Sequence, residues 1–244
     1  MNDETHTFQI LKSLRFYSSP AHACSYLLDR DATTLFVDPE IEMNMDTYQV
    51  LSMVGFRRSG DFVYRPHCSH CNLCVPVRLK VNDFNPNRSQ KRCWNKNQDL
   101  ELMIKPVSFE PSHFKLYREY MQARHPGGGM DNDDPDAYYR VMTAEWSKTS
   151  LFEFKLNNEI VAVAVVDVQQ DSLSAVYTFF SPEFKSRSLG VYAILSQIEH
   201  AKSCGHEWLY LGYWNPDSEK MTYKNQYQPL EYFHESGWIN VSPV

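Results

Sequence analysis

The sequence predicts an α+β protein, a mixed sheet with flanking helices preceded by a smaller α+β N-terminal domain. Three observations predict it. Leu151–Leu156 and Ile160–Val168 are apolar runs, the second rich in β-branched residues, split by the polar pair Asn157-Asn158, which is the pattern of a hairpin. Leu173–Phe180 alternates and stops at Ser181-Pro182, a third strand. Arg187-Ser-Leu-Gly190 then opens a helix over 191–201, with positions 191, 194, 195 and 198 on one face; Gly205 ends it, and Trp208–Tyr213 reads as a fourth strand. The length of 244 residues suits two small, intimately packed domains, with the division expected at 1–105 and 106–244.

Each earlier element has its own signal. Residues 8–30 read as a loop entering a short strand or turn, and Ala32–Val37 is a strand closed by Asp38-Pro39. Asp46 is the expected N-cap of a helix over 47–54 that Gly55 ends, and Phe62–Arg65 is a strand. Val75–Val81 is a further strand with Arg78 and Lys80 on one face, because alternate residues point the same way. Leu100–Ile104 follows as another. Ser112 is placed to cap a helix over 113–124. His125–Met130 reads as a flexible loop, and with the acidic run Asp131–Asp136 it could form a lid over a cleft. A helix is expected over 136–147. Beyond the fourth strand, charged and aromatic side chains crowd Tyr213–Pro229.

The formal net charge of −6 provides no global field for nucleic acid, yet ten basic residues face four acidic ones between Arg57 and Lys105. Arg88, Lys91, Arg92 and Lys96 lie there beside Trp94, as in a phosphate-contacting segment with one stacking ring; a solvated polar helix is the plainer alternative. The polar, acidic N-terminus is unlike a signal peptide and no apolar run is long enough to span a bilayer. A cytoplasmic protein with no membrane partner is expected, and a disulfide framework is not. Cys68, Cys71 and Cys74 form overlapping C-x-x-C pairs whose fourth ligand could be Cys24, His67 or His70, with Cys24 preferred. Zinc, an iron–sulfur centre and a reduced thiol cluster all fit that spacing.

The order of strands, Gly-containing loop, helix and strand resembles the GCN5-related acetyltransferase-like fold. Members that use coenzyme A carry Arg/Gln-x-x-Gly-x-Gly/Ala at the loop, so that bare amides approach the pyrophosphate. Here Arg187-x-x-Gly190-x is followed by Tyr192, which argues against that cofactor. Longer strings are more specific: Cys24-Ser-Tyr26-Leu, Ala32–Pro39, Gly55–Pro66, Cys74-Val-Pro76-Val-Arg78, Arg124–Met130, Ser188–Gln197, Tyr210–Trp214 and Lys220–Lys224. In this order they resemble the arginyl-tRNA–protein transferase family, most closely its bacterial leucyl-transferring branch. Departures are local. Leu27 and Val75 replace cysteines of the eukaryotic relatives, and Asn215-Pro-Asp-Ser218 replaces Ile-x-Gly-Cys.

The resemblance implies an aminoacyltransferase that moves leucine from leucyl-tRNA to the N-terminal amine of proteins beginning with Asp or Glu, tagging them for degradation. No cofactor is required for that chemistry, because an α-amine of pKa about 7.7–8.0 is partly neutral in the cell. Tyr177, Tyr213, Glu219 and Tyr223 are then the candidates for donor and proton-relay roles. Arg65, Arg78, Lys80 and Lys224 are available for the acceptor's carboxylate; Arg78 is favoured for its planar fork, the alternative being that it pairs with an internal acid. Leucine would sit near Phe179 and Phe180, and the acceptor stem along Arg88, Lys91, Arg92 and Lys96. A coenzyme-A-dependent N-acetyltransferase and a non-catalytic RNA-binding module are the rival readings.

Overall fold

The computed structural model describes residues 3–124, 133–235 and 237–241. The expected loop His125–Met130 and the start of the acidic run at Asp131 lie outside the described residues. The chain opens with α1 (Asp3–Ser13), where sequence reasoning placed only a loop, and continues through β1 (Phe16–Ser18), β2 (His22–Ala23), β3 (Asp31–Ala32) and β4 (Thr34–Val37). Next come α2 (Met45–Met53), β5 (Arg57–Ser59) and β6 (Phe62–Pro66). The cap of α2 is Asn44, whose side chain accepts from the Thr47 amide at 2.9 Å, and not Asp46; that acid sits inside the first turn, where it complements the helix dipole. Strands β1-β4-β6-β5 form an antiparallel sheet over a small core of Val37, Tyr48, Leu51, Phe56 and Val63.

The remaining elements are β7 (Val75–Lys80), α3 (Arg88–Lys96), β8 (Glu101–Pro106), α4 (Pro111–Arg124), α5 (Pro135–Met142), β9 (Thr149–Leu156), β10 (Glu159–Val168) and β11 (Ser172–Phe180). They end with α6 (Leu189–Ser203), β12 (Trp208–Trp214), β13 (Leu230–His234) and β14 (Gly237–Ile239). Asp134 caps α5, which stops at Met142 because Thr143 is already extended, five residues short of the expected end. The turn between β9 and β10 places Asn157 and Asn158 at φ 51° and 68°, the left-handed pair that a tight hairpin requires.

One eight-stranded sheet, ordered β14-β13-β7-β12-β11-β10-β9-β8, dominates the molecule. It does not stop at the division expected at residue 105. β7 pairs with β12 and β13, and β8 with β9. Val75, Val77 and Leu79 alternate as buried residues along β7, so the strand is central, and its neighbours come from the far end of the chain. Within this sheet β9, β10 and β11 are antiparallel and β12 lies parallel to β11 after the α6 crossover, the acetyltransferase-like arrangement. α6 is buried on almost every side because the sheet covers one face and α3 packs against it from another direction.

Candidate active site

The site begins where two parallel strands part. β11 and β12 pair only from Ser172 to Ser174 against Trp208 to Tyr210, although β11 runs on to Phe180 and β12 to Trp214. Backbone carbonyls along the unpaired half of β11 need other donors. Arg57, reaching over from β5, supplies them: its Nη2 donates to the Ala175 carbonyl and, at 3.1 Å, to that of Val176. Its guanidinium lies across Gly212 of β12, at φ 82°, where a Cβ would collide with it. Sequence reasoning missed Arg57. The available signal was a glycine inside an aromatic strand, which marks close approach of another group.

Around this wedge stand three of the expected residues. Lys224 is buried and its Nζ donates to the Tyr213 carbonyl; burial first, and then the Arg57 charge, push its ammonium down to about 7. Tyr223 is 40% exposed, while burial of its hydroxyl end pushes that phenol up to about 12. Tyr177, on the open half of β11, is raised by burial too; its hydroxyl donates to Met121 Sδ at 3.4 Å and its ring lies 6.5 Å from that of Tyr120. Such phenols stay protonated at neutral pH, which suits them to donate hydrogen bonds and not to act as bases. Phe180 packs on Tyr120 at 5.0 Å, and with Ala123, Arg124, Pro182 and Lys185 these rings line a cavity of about 260 Å³. Phe179 lies in the core instead.

The other expected residues are engaged elsewhere. Tyr213 is buried, and its hydroxyl donates to the Gly55 and Tyr64 carbonyls at 3.1 and 2.9 Å, so it acts as a strut between β12 and the N-terminal sheet. Glu219 is exposed on the segment after β12. Arg78 pairs with Glu231 at 2.8 Å and lies between the Trp208 and Trp238 rings, 3.6 and 4.3 Å from their centroids. The internal acid of the alternative reading thus holds its Nε, while Nη1 donates to the Tyr210 hydroxyl at 3.4 Å. Lys80 pairs with Glu207 at 3.1 Å, and Arg65 donates to the Val54 carbonyl while covering Phe56. Along α3, Arg88, Lys91 and Arg92 are exposed with no ion-pair partner among the described residues, and Lys96 donates to the Ser186 carbonyl at 2.8 Å. Trp94 is not a free stacking ring: it packs on Tyr192 at 5.4 Å.

The loop before α6 bears on coenzyme A. Arg187 is held in a bidentate pair by Asp99, both contacts at 2.8 Å, and the Phe180 ring covers Gly190 so closely that a Cβ there would meet it at 3.1 Å. Tyr192 turns into the core against Phe154. The arginine and the glycine of the loop are thus both engaged by the chain's own side chains.

Cys24, Cys68, Cys71 and Cys74 line one cavity of about 190 Å³ with Tyr26, Tyr64 and Asn215. Burial pushes the Cys74 thiol up to about 11. A tetrahedral zinc ion would draw four thiolates to about 3.8 Å from one another. Among the described residues, however, the one trio of ligand-type side chains whose ligand atoms lie within 4.8 Å of each other is Glu110, His113 and Glu153. The cysteines as arranged do not fit a single zinc ion. At the trio, the Lys105 ammonium lies 2.5 Å from Glu110 and 2.7 Å from Glu153, already supplying the cation.

An acetyltransferase-like sheet with a phenol-lined cleft beside its parted strands defines a class, the acyl-transferring enzymes. The chain belongs to the arginine-tRNA-protein transferase family: the family's N-terminal model matches residues 22–92 and its C-terminal model residues 112–234. Among its relatives is the aspartate/glutamate leucyltransferase of Nitrosococcus oceani, 50% identical over 91% of this chain and 94% of that protein. Proteins of the same name from Alcanivorax borkumensis and Hahella chejuensis are 46% and 45% identical over 93% and 95% of this chain, and 94% and 99% of their own lengths. Similarity to solved structures is looser. FemX, 11% identical, superposes with a TM-score of 0.46 over 90% of this chain and 84% of its own.

Proposed function

We propose that this chain transfers leucine from leucyl-tRNA to the N-terminal α-amine of proteins beginning with aspartate or glutamate, creating a degradation signal in the cytoplasm. The observation that carries the proposal is identity of 50% across nearly the whole chain to a protein named for that transfer. No helix among the described residues is long and apolar enough to cross a membrane.

In this reading the acceptor amine attacks the leucyl ester carbonyl, a C–N bond forms, and the C–O bond to the terminal ribose breaks. The ribose oxygen leaves with a proton that the attacking amine releases. Positioning of the two substrates and stabilisation of the oxyanion supply the rate, so no cofactor is called upon. Tyr177 and Tyr223 are proposed as hydrogen-bond donors at the cleft, because their phenols are held protonated. The leucyl side chain is assigned to the cavity under Phe180 and Tyr120. Exposed Arg88, Lys91 and Arg92 on α3 are assigned to the acceptor stem, with Lys96 at the end of the same helix.

The rival N-acetyltransferase reading needs a nucleotide loop whose Arg187 is tied to Asp99 and whose Gly190 lies against Phe180. Calorimetry with acetyl-coenzyme A should therefore show no saturable binding. The direct test is labelled leucyl-tRNA with an Asp-initiated peptide. Incorporation of leucine is expected; no incorporation overturns the proposal, and transfer of arginine from arginyl-tRNA instead would overturn the choice of donor.

A further inference from the structure

Four arginine and lysine side chains on β5 and β7 are placed against the large sheet, and three of them meet an acid. Arg58 has Asp167, Arg78 has Glu231 and Lys80 has Glu207. Arg57 has only the Ala175 and Val176 carbonyls, with no carboxylate at ion-pair distance among the described residues. It is half-buried at the mouth of the strand gap. Lys224 lies within its field, buried and hydrogen-bonded to a single backbone carbonyl. Arg57 is a cation without an acid partner among the described residues, and Lys224 beside it sheds its proton near neutrality; an entering carboxylate pairs the first and favours the charged form of the second.

On the leucyl-transfer reading given above, we infer that Arg57, assisted by Lys224, receives the side-chain carboxylate of the acceptor's first residue. Arg57 is thus a specificity-determining residue, and Arg78 is not. An acceptor beginning with the neutral isosteres Asn or Gln leaves the Arg57 charge unpaired, so discrimination comes from the missing charge and not from size. Gly212 is bare because the guanidinium must lie across it to reach the gap.

The experiment compares leucine transfer by the full chain to two peptides that differ only in a first residue of Glu or Gln. Wild type should favour Glu. Arg57→Gln should lower kcat/KM for the Glu peptide about 100-fold, a loss of about 2.7 kcal/mol, shrink the Glu-to-Gln ratio to below about 10, and leave the KM for leucyl-tRNA unchanged. Arg57→Lys keeps the charge but not the fork, and should restore part of the ratio. Arg57→Gln, folded by circular dichroism yet showing the wild-type ratio, overturns the assignment, as does Arg57→Lys with a ratio no higher than that of Arg57→Gln. Should neither fold, calorimetry of wild type at pH 8 in two buffers of different ionisation enthalpy decides. The groups facing Lys224 are Arg57, Cys74, the Tyr223 ring and the Tyr213 carbonyl. The Glu peptide should therefore drive more proton uptake than the Gln peptide, and equal uptake overturns the inference. Wild type that leucylates neither peptide overturns the transfer reading itself, a result distinct from transfer with undisturbed selectivity.

Discussion

Lys224 and Glu153 are buried ions of opposite sign whose environments treat them differently. Burial and Arg57 lower the Lys224 ammonium to about 7, so the folded protein binds fewer protons than the unfolded chain between about pH 7 and the ordinary lysine value. Stability should consequently rise with pH across that window. Lys224→Met should be more stable than the parent at pH 7 by urea unfolding, with the gap narrowing toward pH 10; a parallel pair of curves would contradict the burial argument. Glu153 resists the desolvation that would raise it, because Lys105, His113 and Lys155 hydrogen-bond its carboxylate and hold it down to about 2. That contribution is present above the usual carboxylate range and lost as pH falls from about 4.5 toward 2. Glu153→Gln should flatten the acid limb of the unfolding curve. Arg78→Ala, which removes a cation stacked between two indoles and paired with Glu231, should cost about 1–3 kcal/mol and leave acceptor choice unaltered.

Helix α3 is the element on which the tRNA assignment rests. Its Asn87–Gln90 capping box fixes the start, and Gln90, Cys93 and Asn97 bury one side, so Arg88, Lys91 and Arg92 are left facing solvent. Replacing these three by Glu should raise the KM for leucyl-tRNA at least tenfold and weaken its salt dependence, while the peptide KM stays put. Loss of both in parallel would show that α3 is only a scaffold. The basic residues of this helix were legible from their spacing, whereas the role of Trp94 was not: its packing on Tyr192 depends on α3 lying against α6, a contact between residues far apart in the chain. The strands β9, β10 and β11 were legible for a local reason, being runs of apolar and β-branched residues with asparagine turns. The cap of α2 was misplaced because Asn44 and Asp46 are both competent and only backbone geometry chooses between them.

At the level of the whole molecule, the short strand β5 carries two of the contacts that join the two sheets. Arg58 of β5 makes a bidentate pair with Asp167 of β10, both contacts 2.6 Å and both side chains fully buried, while its neighbour Arg57 enters the β11–β12 gap. Breaking that pair with Arg58→Ala strands a buried carboxylate and should cost about 3–5 kcal/mol, read as a fall in unfolding midpoint. That the large sheet draws strands from both sides of residue 105 was hidden for the same long-range reason: β7 is recognisable as a strand from its alternation, but alternation does not name its partners. Site residues followed suit. Lys224, Tyr223 and Tyr177 were visible as chemistry-bearing residues near strand ends, while Arg57 was hidden in a basic pair, and of the two readings left open for Arg78 the structure supplies the internal acid, Glu231. On the proposed reading the cleft accepts an aminoacylated RNA and an acidic polypeptide terminus. Labelled leucyl-tRNA incubated with peptides beginning with Asp, Glu, Lys or Ala tests it most directly. Leucine on the Asp and Glu peptides alone is the predicted result; leucine on none of them, or on all four alike, would contradict it.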